Sequence, residues 1–137
     1  MSRRALPRRG VLSKAALAVE IVVLYARARR VMGDDDLPKA LEVMRDRRLR
    51  AGETVSLDEA RATARAVTRT LRVIPLDTRC LAQSLVLAAA LARRSTPSSV
   101  VIAVRPGNDF VAHAWVELDG EPLLPTGTPG FQRLASL

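Results

Sequence analysis

Two side chains in this sequence stand out as able to make and break covalent bonds: Cys80, the single cysteine, and His113, the single histidine. Cys80 follows Asp77-Thr78-Arg79 and precedes a long apolar run. Asp77 or Thr78 is a suitable cap, so the spacing predicts a helix that starts beside the thiol. A helix N-terminus presents unpaired amides and about half a positive charge, which favours a thiolate. A neighbouring imidazole stabilises that thiolate further and later hands a proton to a leaving amine. The same amides, most simply that of Cys80 itself, can form part of an oxyanion hole. Each residue taken alone has a blander explanation. A lone cysteine is usually a small buried hydrophobe, and a lone histidine is usually structural.

The histidine needs a strand to hold it, and the sequence around it alternates with period two. Phe110, Ala112, Ala114, Val116 and Leu118 share one face of a strand over 110–118. Val111, His113, Trp115 and Glu117 share the other. Val100 to Val104 reads as a preceding strand, separated by the turn Pro106-Gly107-Asn108-Asp109. Asp119-Gly120 is a two-residue hairpin signal, from which Glu121 to Leu124 returns as a short strand. Pro122, Pro125 and Pro129 mark that strand as an edge that soon breaks up.

The cysteine needs a helix, and the first half of the chain is helical throughout. Leu12, Ala16, Val19, Val23 and Ala26 recur at helical spacing and predict a first helix over about 12–31, expected to belong to the core. Gly33 and Asp34–Asp36 end it and cap the next, since no calcium-loop ligands follow the aspartates. A second helix over about 38–49 turns Leu41 and Met44 inward. Ser56 and Glu59 form a capping box for a third. Its stripe is Leu57, Ala60, Ala64, Val67, Leu71 and Ile74, with Arg61, Arg65, Arg69 and Arg72 toward solvent and Pro75 as its stop. The helix after Cys80 is apolar on most sides through Leu81, Leu85, Val86, Ala89 and Leu91, so it is expected to be the central one. Arg93 and Arg94 suit its C-terminal dipole, and Ser95–Ser99 is a turn.

The chain has 137 residues, enough for one domain spanning 1–137. It is 48% hydrophobic and only 3% aromatic, so Ala, Val, Leu and Ile must build the core. Basic residues number 22 against 14 acidic, for a net charge of +8. Most of that excess lies in residues 1–32, where Arg3, Arg4, Arg8, Arg9, Lys14, Arg27, Arg29 and Arg30 face only Glu20. Residues 1–10 are expected to form a basic arm, able to meet an acidic partner or simply to stay solvated. Nucleic acid is not expected, with almost no aromatics to stack and no finger or ribonucleoprotein motif. One cysteine and one histidine exclude the usual zinc clusters and any internal disulfide. Ala15 to Ala26 is too short for a membrane span and lacks a signal-peptide cleavage site. A free cysteine agrees with a cytoplasmic protein.

A cysteine on a helix followed by a histidine on a strand is the order found in papain-like and transglutaminase-like enzymes. The segments Cys80-Leu81-Ala82-Gln83-Ser84-Leu85, Arg93-Arg94 and Phe110-Val111-Ala112-His113-Ala114-Trp115-Val116-Glu117 resemble one family in particular. They are similar to the transglutaminase-like cysteine peptidases of lasso peptide biosynthesis, in the split form where leader binding and leader cleavage belong to separate proteins. The resemblance covers most of the chain. It implies an α+β fold with a papain/transglutaminase-like core: a helical N-terminal half packed on a small antiparallel sheet, with the nucleophile at a helix N-terminus. It implies an enzyme that removes the leader from a ribosomally made precursor peptide, without a cofactor. Its partners would be the leader region, a leader-binding companion protein and an ATP-dependent lasso cyclase. Cys80 matches the family nucleophile, His113 the general base and acid, and Trp115 the family tryptophan.

The match has one gap. The family commonly carries an aspartate on the returning strand, where this chain has Leu123-Leu124-Pro125-Thr126. A two-residue turn at Asp119-Gly120 would set Thr126 opposite His113. Asp119 lies roughly 20 Å along the strand from His113, and Glu117 and Asp109 each about 13 Å. If a carboxylate serves here it must come from elsewhere in the fold, with Asp77 and Asp109 as candidates. Two alternatives therefore stay open: an acyltransferase that uses an amine in place of water, and a degenerate interaction module of the same fold.

Overall fold

A computed structural model describes residues 7–32, 37–45, 54–73, 80–107, 111–127 and 130–137. Four helices precede four strands: α1 (Pro7–Met32), α2 (Leu37–Met44), α3 (Leu57–Val73), α4 (Cys80–Ala92), β1 (Ser99–Arg105), β2 (Val111–Leu118), β3 (Glu121–Pro122) and β4 (Gln132–Ser136). The fold is α+β, as the sequence implies. Residues 7–10 of the expected arm belong to α1, and residues 1–6 lie outside the described residues. Among the described residues no helix is long and apolar enough to cross a membrane.

α4 is the hub. From Leu85 to Leu91 every side chain is buried, because the helix is apolar around its whole circumference. It packs against α1, α2 and α3 on the helical side and against β2 and β1 on the sheet side. Its C-terminus closes in a Schellman turn: the Thr96 amide donates to Leu91 O at 2.9 Å and the Ser95 amide to Ala92 O at 3.0 Å, with Ser95 at φ 55°. Arg94 donates to Ala90 O at 2.7 Å, placing its cation at the negative end of the helix.

α3 begins where the capping residues put it. The Glu59 amide donates to Ser56 Oγ at 3.2 Å, and Ala60, Ala64, Val67 and Leu71 are buried along one stripe. Leu41 and Met44 of α2 are buried too. α1 forms where the apolar period predicts a helix, but the residues that show the period are not its buried face. Val19 and Val23 are 64% and 49% exposed, and Ala16 and Ala26 are also exposed. Ile21, Leu24, Tyr25 and Ala28 form the buried stripe instead. The segment carries two apolar stripes of equal spacing, and Glu20 decides between them. Its carboxylate takes both guanidinium nitrogens of Arg94 at 2.8 and 2.9 Å and lies 3.4 Å from Arg93, which turns that side of α1 onto α4.

The sheet order is β3-β2-β1-β4, with every neighbouring pair antiparallel. Asp119 and Gly120 have φ of 52° and 83°, the paired positive values of a type I′ turn, and Leu118 pairs with Glu121 as a two-residue loop requires. β3 is shorter than the expected Glu121–Leu124, holding only Glu121 and Pro122. β4 was not foreseen. It pairs with β1 through a bulge at Ile102/Ala103, and the Val100 and Leu137 main chains exchange two hydrogen bonds at 2.8 Å.

Candidate active site

Cys80 is the first residue of α4, half-buried and unbridged. Its amide lies in the first turn, where no intrahelical acceptor exists. The fully buried Ser84 hydroxyl donates to the Cys80 carbonyl at 2.8 Å. That bond accounts for a serine four residues after the cysteine: it satisfies a buried hydroxyl and ties down the turn that carries the thiol. Asp77 lies outside the described residues.

His113 sits in the middle of β2, half-buried, opposite the fully buried Ala103 of β1. The register places His113, Trp115 and Glu117 on one face of the strand, as their alternation implies. The imidazole stands among rings, with centroids 5.8 Å from Trp115 and 5.6 Å from Phe131. Phe131 is in turn covered by the Arg105 guanidinium at 5.3 Å. Gly127, at φ 84°, lies against the ring: a Cβ there would meet the His113 ring at 3.1 Å and Phe131 at 3.0 Å. Only glycine fits this position without moving the ring.

His113 Nε2 lies 2.8 Å from the Pro125 carbonyl oxygen. A carbonyl can only accept, so Nε2 carries the proton and Nδ1 is left with its lone pair. The ring is thus held in one tautomer by main chain. The expected acceptor, Thr126, is exposed and one residue too late. The cause is local chemistry. The Leu123 amide donates to Val116 O at 2.8 Å, and the next inward donor of this ladder falls two residues on, at Pro125, which has no N–H. Pairing stops there, the chain turns away, and the Pro125 carbonyl meets the imidazole.

Glu117 is committed elsewhere. Its carboxylate accepts from the Trp115 indole at 2.9 Å and from Arg133 at 2.9 and 3.2 Å. Burial pushes its pKa up, but the Trp115 and Arg133 hydrogen bonds and the Arg133 charge outweigh burial and hold it below the ordinary glutamate value. This network fixes the indole two residues from His113 and joins β4 to β2. Asp119 stands in the exposed hairpin turn, and Asp109 lies outside the described residues. Among the described residues no cluster of three His, Cys, Asp or Glu side chains is placed to hold a metal ion.

The structure therefore sets Cys80 and His113 on two elements that pack on one another, α4 and β2. Sequence reasoning missed the Pro125 carbonyl, Phe131 and Gly127. The cluster Thr126-Gly127-Thr128-Pro129-Gly130 was the available signal, since glycines that close together mark backbone forced near something else. A helix headed by the sole cysteine, packed on an antiparallel sheet with the sole histidine in its second strand, defines an α+β architecture of the transglutaminase-like kind. A family model for the Transglutaminase-like superfamily matches residues 15–136, and the chain belongs to that superfamily. The superfamily includes cysteine peptidases and acyltransferases and is typically enzymatic. No curated protein and no solved structure matched the chain.

Proposed function

We propose that this protein is a cysteine peptidase that removes the leader from a lasso precursor peptide. The observation that carries the peptidase reading is the hydrogen bond from His113 Nε2 to the Pro125 carbonyl, which reserves Nδ1 for proton transfer. Cys80 Sγ attacks the scissile carbonyl carbon while its proton passes to His113 Nδ1. The Cys80 amide supports the oxyanion. His113 then protonates the departing amine, leaving a thioester on Cys80. Water attacks the thioester, its proton passes to Nδ1, and the returning thiol frees the leader's carboxylate. The Pro125 carbonyl plays the orienting part that a carboxylate takes in related sites, with less stabilisation of the imidazolium.

The assignment to leader removal rests on the Cys-Leu-x-x-Ser-Leu and His-Ala-Trp-Val-Glu segments and on superfamily membership. The partners in this reading are the precursor's leader region, a leader-binding companion and the ATP-dependent cyclase that uses the freed amine, all in a reducing cytoplasm. Mixing precursor, companion and this chain should yield free leader. Cys80→Ala and Cys80→Ser should abolish the product while the protein stays folded. Cleavage by folded Cys80→Ala at the wild-type rate would sink the peptidase reading. The acyl-transfer alternative shares the first half-reaction. It is separated by adding a primary amine and looking for an amide-linked adduct in place of the free acid.

A further inference from the structure

A cleft of about 360 Å³ runs between α3 and the Leu123–Pro125 segment. Its α3 wall carries Arg65, Arg69 and Arg72, all exposed, and its other wall is Leu123, Leu124 and Pro125. Pro125, one of its lining residues, is also the residue whose carbonyl holds His113. A second hollow of about 460 Å³ on the opposite flank of α3 shares Arg65 and Arg69 and adds Lys14. None of the three arginines forms an ion pair with a described residue, whereas Arg61, one turn earlier, lies 3.7 Å from Glu121. Helical spacing puts Arg65 and Arg69 about 6 Å apart along the axis. Alternate residues of an extended chain are about 6.6 Å apart and point the same way. The cleft thus offers cations at the repeat of alternate acidic side chains, over an apolar floor.

We infer that this cleft is the docking groove for an extended, acidic stretch of the peptide substrate, whose carboxylates Arg65, Arg69 and Arg72 receive. The inference deepens the peptidase reading and rests on it. Charge complementarity and the shared Pro125 select this occupant: a chain lying along α3 passes the residue whose carbonyl holds the candidate catalytic ring.

The test uses the full chain as Cys80→Ala, so that bound peptide is not cut. A fluorescein-labelled peptide with glutamate at alternate positions should bind, and its glutamine counterpart should bind about tenfold more weakly. Arg65→Gln, Arg69→Gln and Arg72→Gln combined should weaken the glutamate peptide by about tenfold or more. Arg29→Gln, Arg30→Gln and Lys39→Gln, exposed cations on α1 and α2, remove the same charge and should change it less than about twofold. Equal losses in the two triple variants, equal binding of both peptides, or tighter binding of duplex DNA or phosphatidylserine vesicles would each overturn the groove. Such a failure is distinct from failure of the peptidase reading, which is read separately from the Cys80 dependence of leader cleavage.

Discussion

Gly127→Ala tests whether the loop after β3 positions the candidate catalytic ring of His113, and Gly120→Ala is its matched control. The two glycines have nearly the same backbone conformation, φ 84° and 83°. An alanine at either incurs left-handed strain of about 1–2 kcal/mol. At about 2.1 cal/mol/K per residue the chain unfolds with roughly 0.3 kcal/mol/K, so each variant should melt about 3–7 °C lower. Their surroundings differ: a Cβ at Gly120 meets nothing within 4 Å, whereas one at Gly127 presses the His113 ring at 3.1 Å and Phe131 at 3.0 Å. Relief of a few tenths of an ångström stretches the 2.8 Å bond to Pro125 toward the weak end of its range. That bond is charge-assisted once the imidazolium forms and is then worth about 1.5–3 kcal/mol. Its complete loss would lower kcat by about 10- to 150-fold, and its stretching by about tenfold, with KM unchanged. Because His113 is the only histidine, ¹⁵N spectra report its tautomer without assignment. The Nε2–H form should dominate in wild type and Gly120→Ala and be diluted in Gly127→Ala. Identical turnover and tautomer in the two glycine variants would refute the positioning role of the Pro125 carbonyl.

Thr126→Ala should leave cleavage near wild type, since main chain one residue earlier holds the ring, while His113→Ala should remove nearly all of it; a large loss in the threonine variant would show that a hydroxyl takes part. The Trp115 and Arg133 contacts hold the Glu117 pKa below its ordinary value, so its carboxylate contributes stability that is present above the ordinary glutamate pKa and fades as pH falls through the depressed one. Glu117→Gln should therefore be less stable at pH 7 and have a flatter acid limb in unfolding followed by the single tryptophan, whereas parallel pH profiles would contradict the network. Glu20→Gln strips the shared partner of Arg93 and Arg94 at a site 17% exposed, between a surface and a buried pair, and should lower stability by about 1–3 kcal/mol, seen as a melt about 3–10 °C lower.

What was legible in the sequence followed from how local each determinant is. The hairpin register could be read from Asp119-Gly120 alone, because a two-residue turn with positive φ leaves one pairing open. The start of α3 was readable from Ser56 and Glu59, and the central place of α4 from its lack of a polar face. The buried face of α1 was not, because the choice depends on Glu20 meeting Arg93 and Arg94, a contact across more than half the chain. Nor was β4: Gln132-Arg133-Leu134-Ala135-Ser136 has little strand propensity and gains its place from β1 and from the Arg133–Glu117 pair. The acceptor of His113 was hidden for another reason. A main-chain carbonyl has no residue type, so a search for carboxylates passes over it. Yet its position is encoded, in the missing N–H of Pro125, which ends the β3 ladder where the chain must turn toward the ring. The substitution that would restore an inward donor, Pro125→Ala, therefore bears on the histidine as directly as any acidic residue on the sheet.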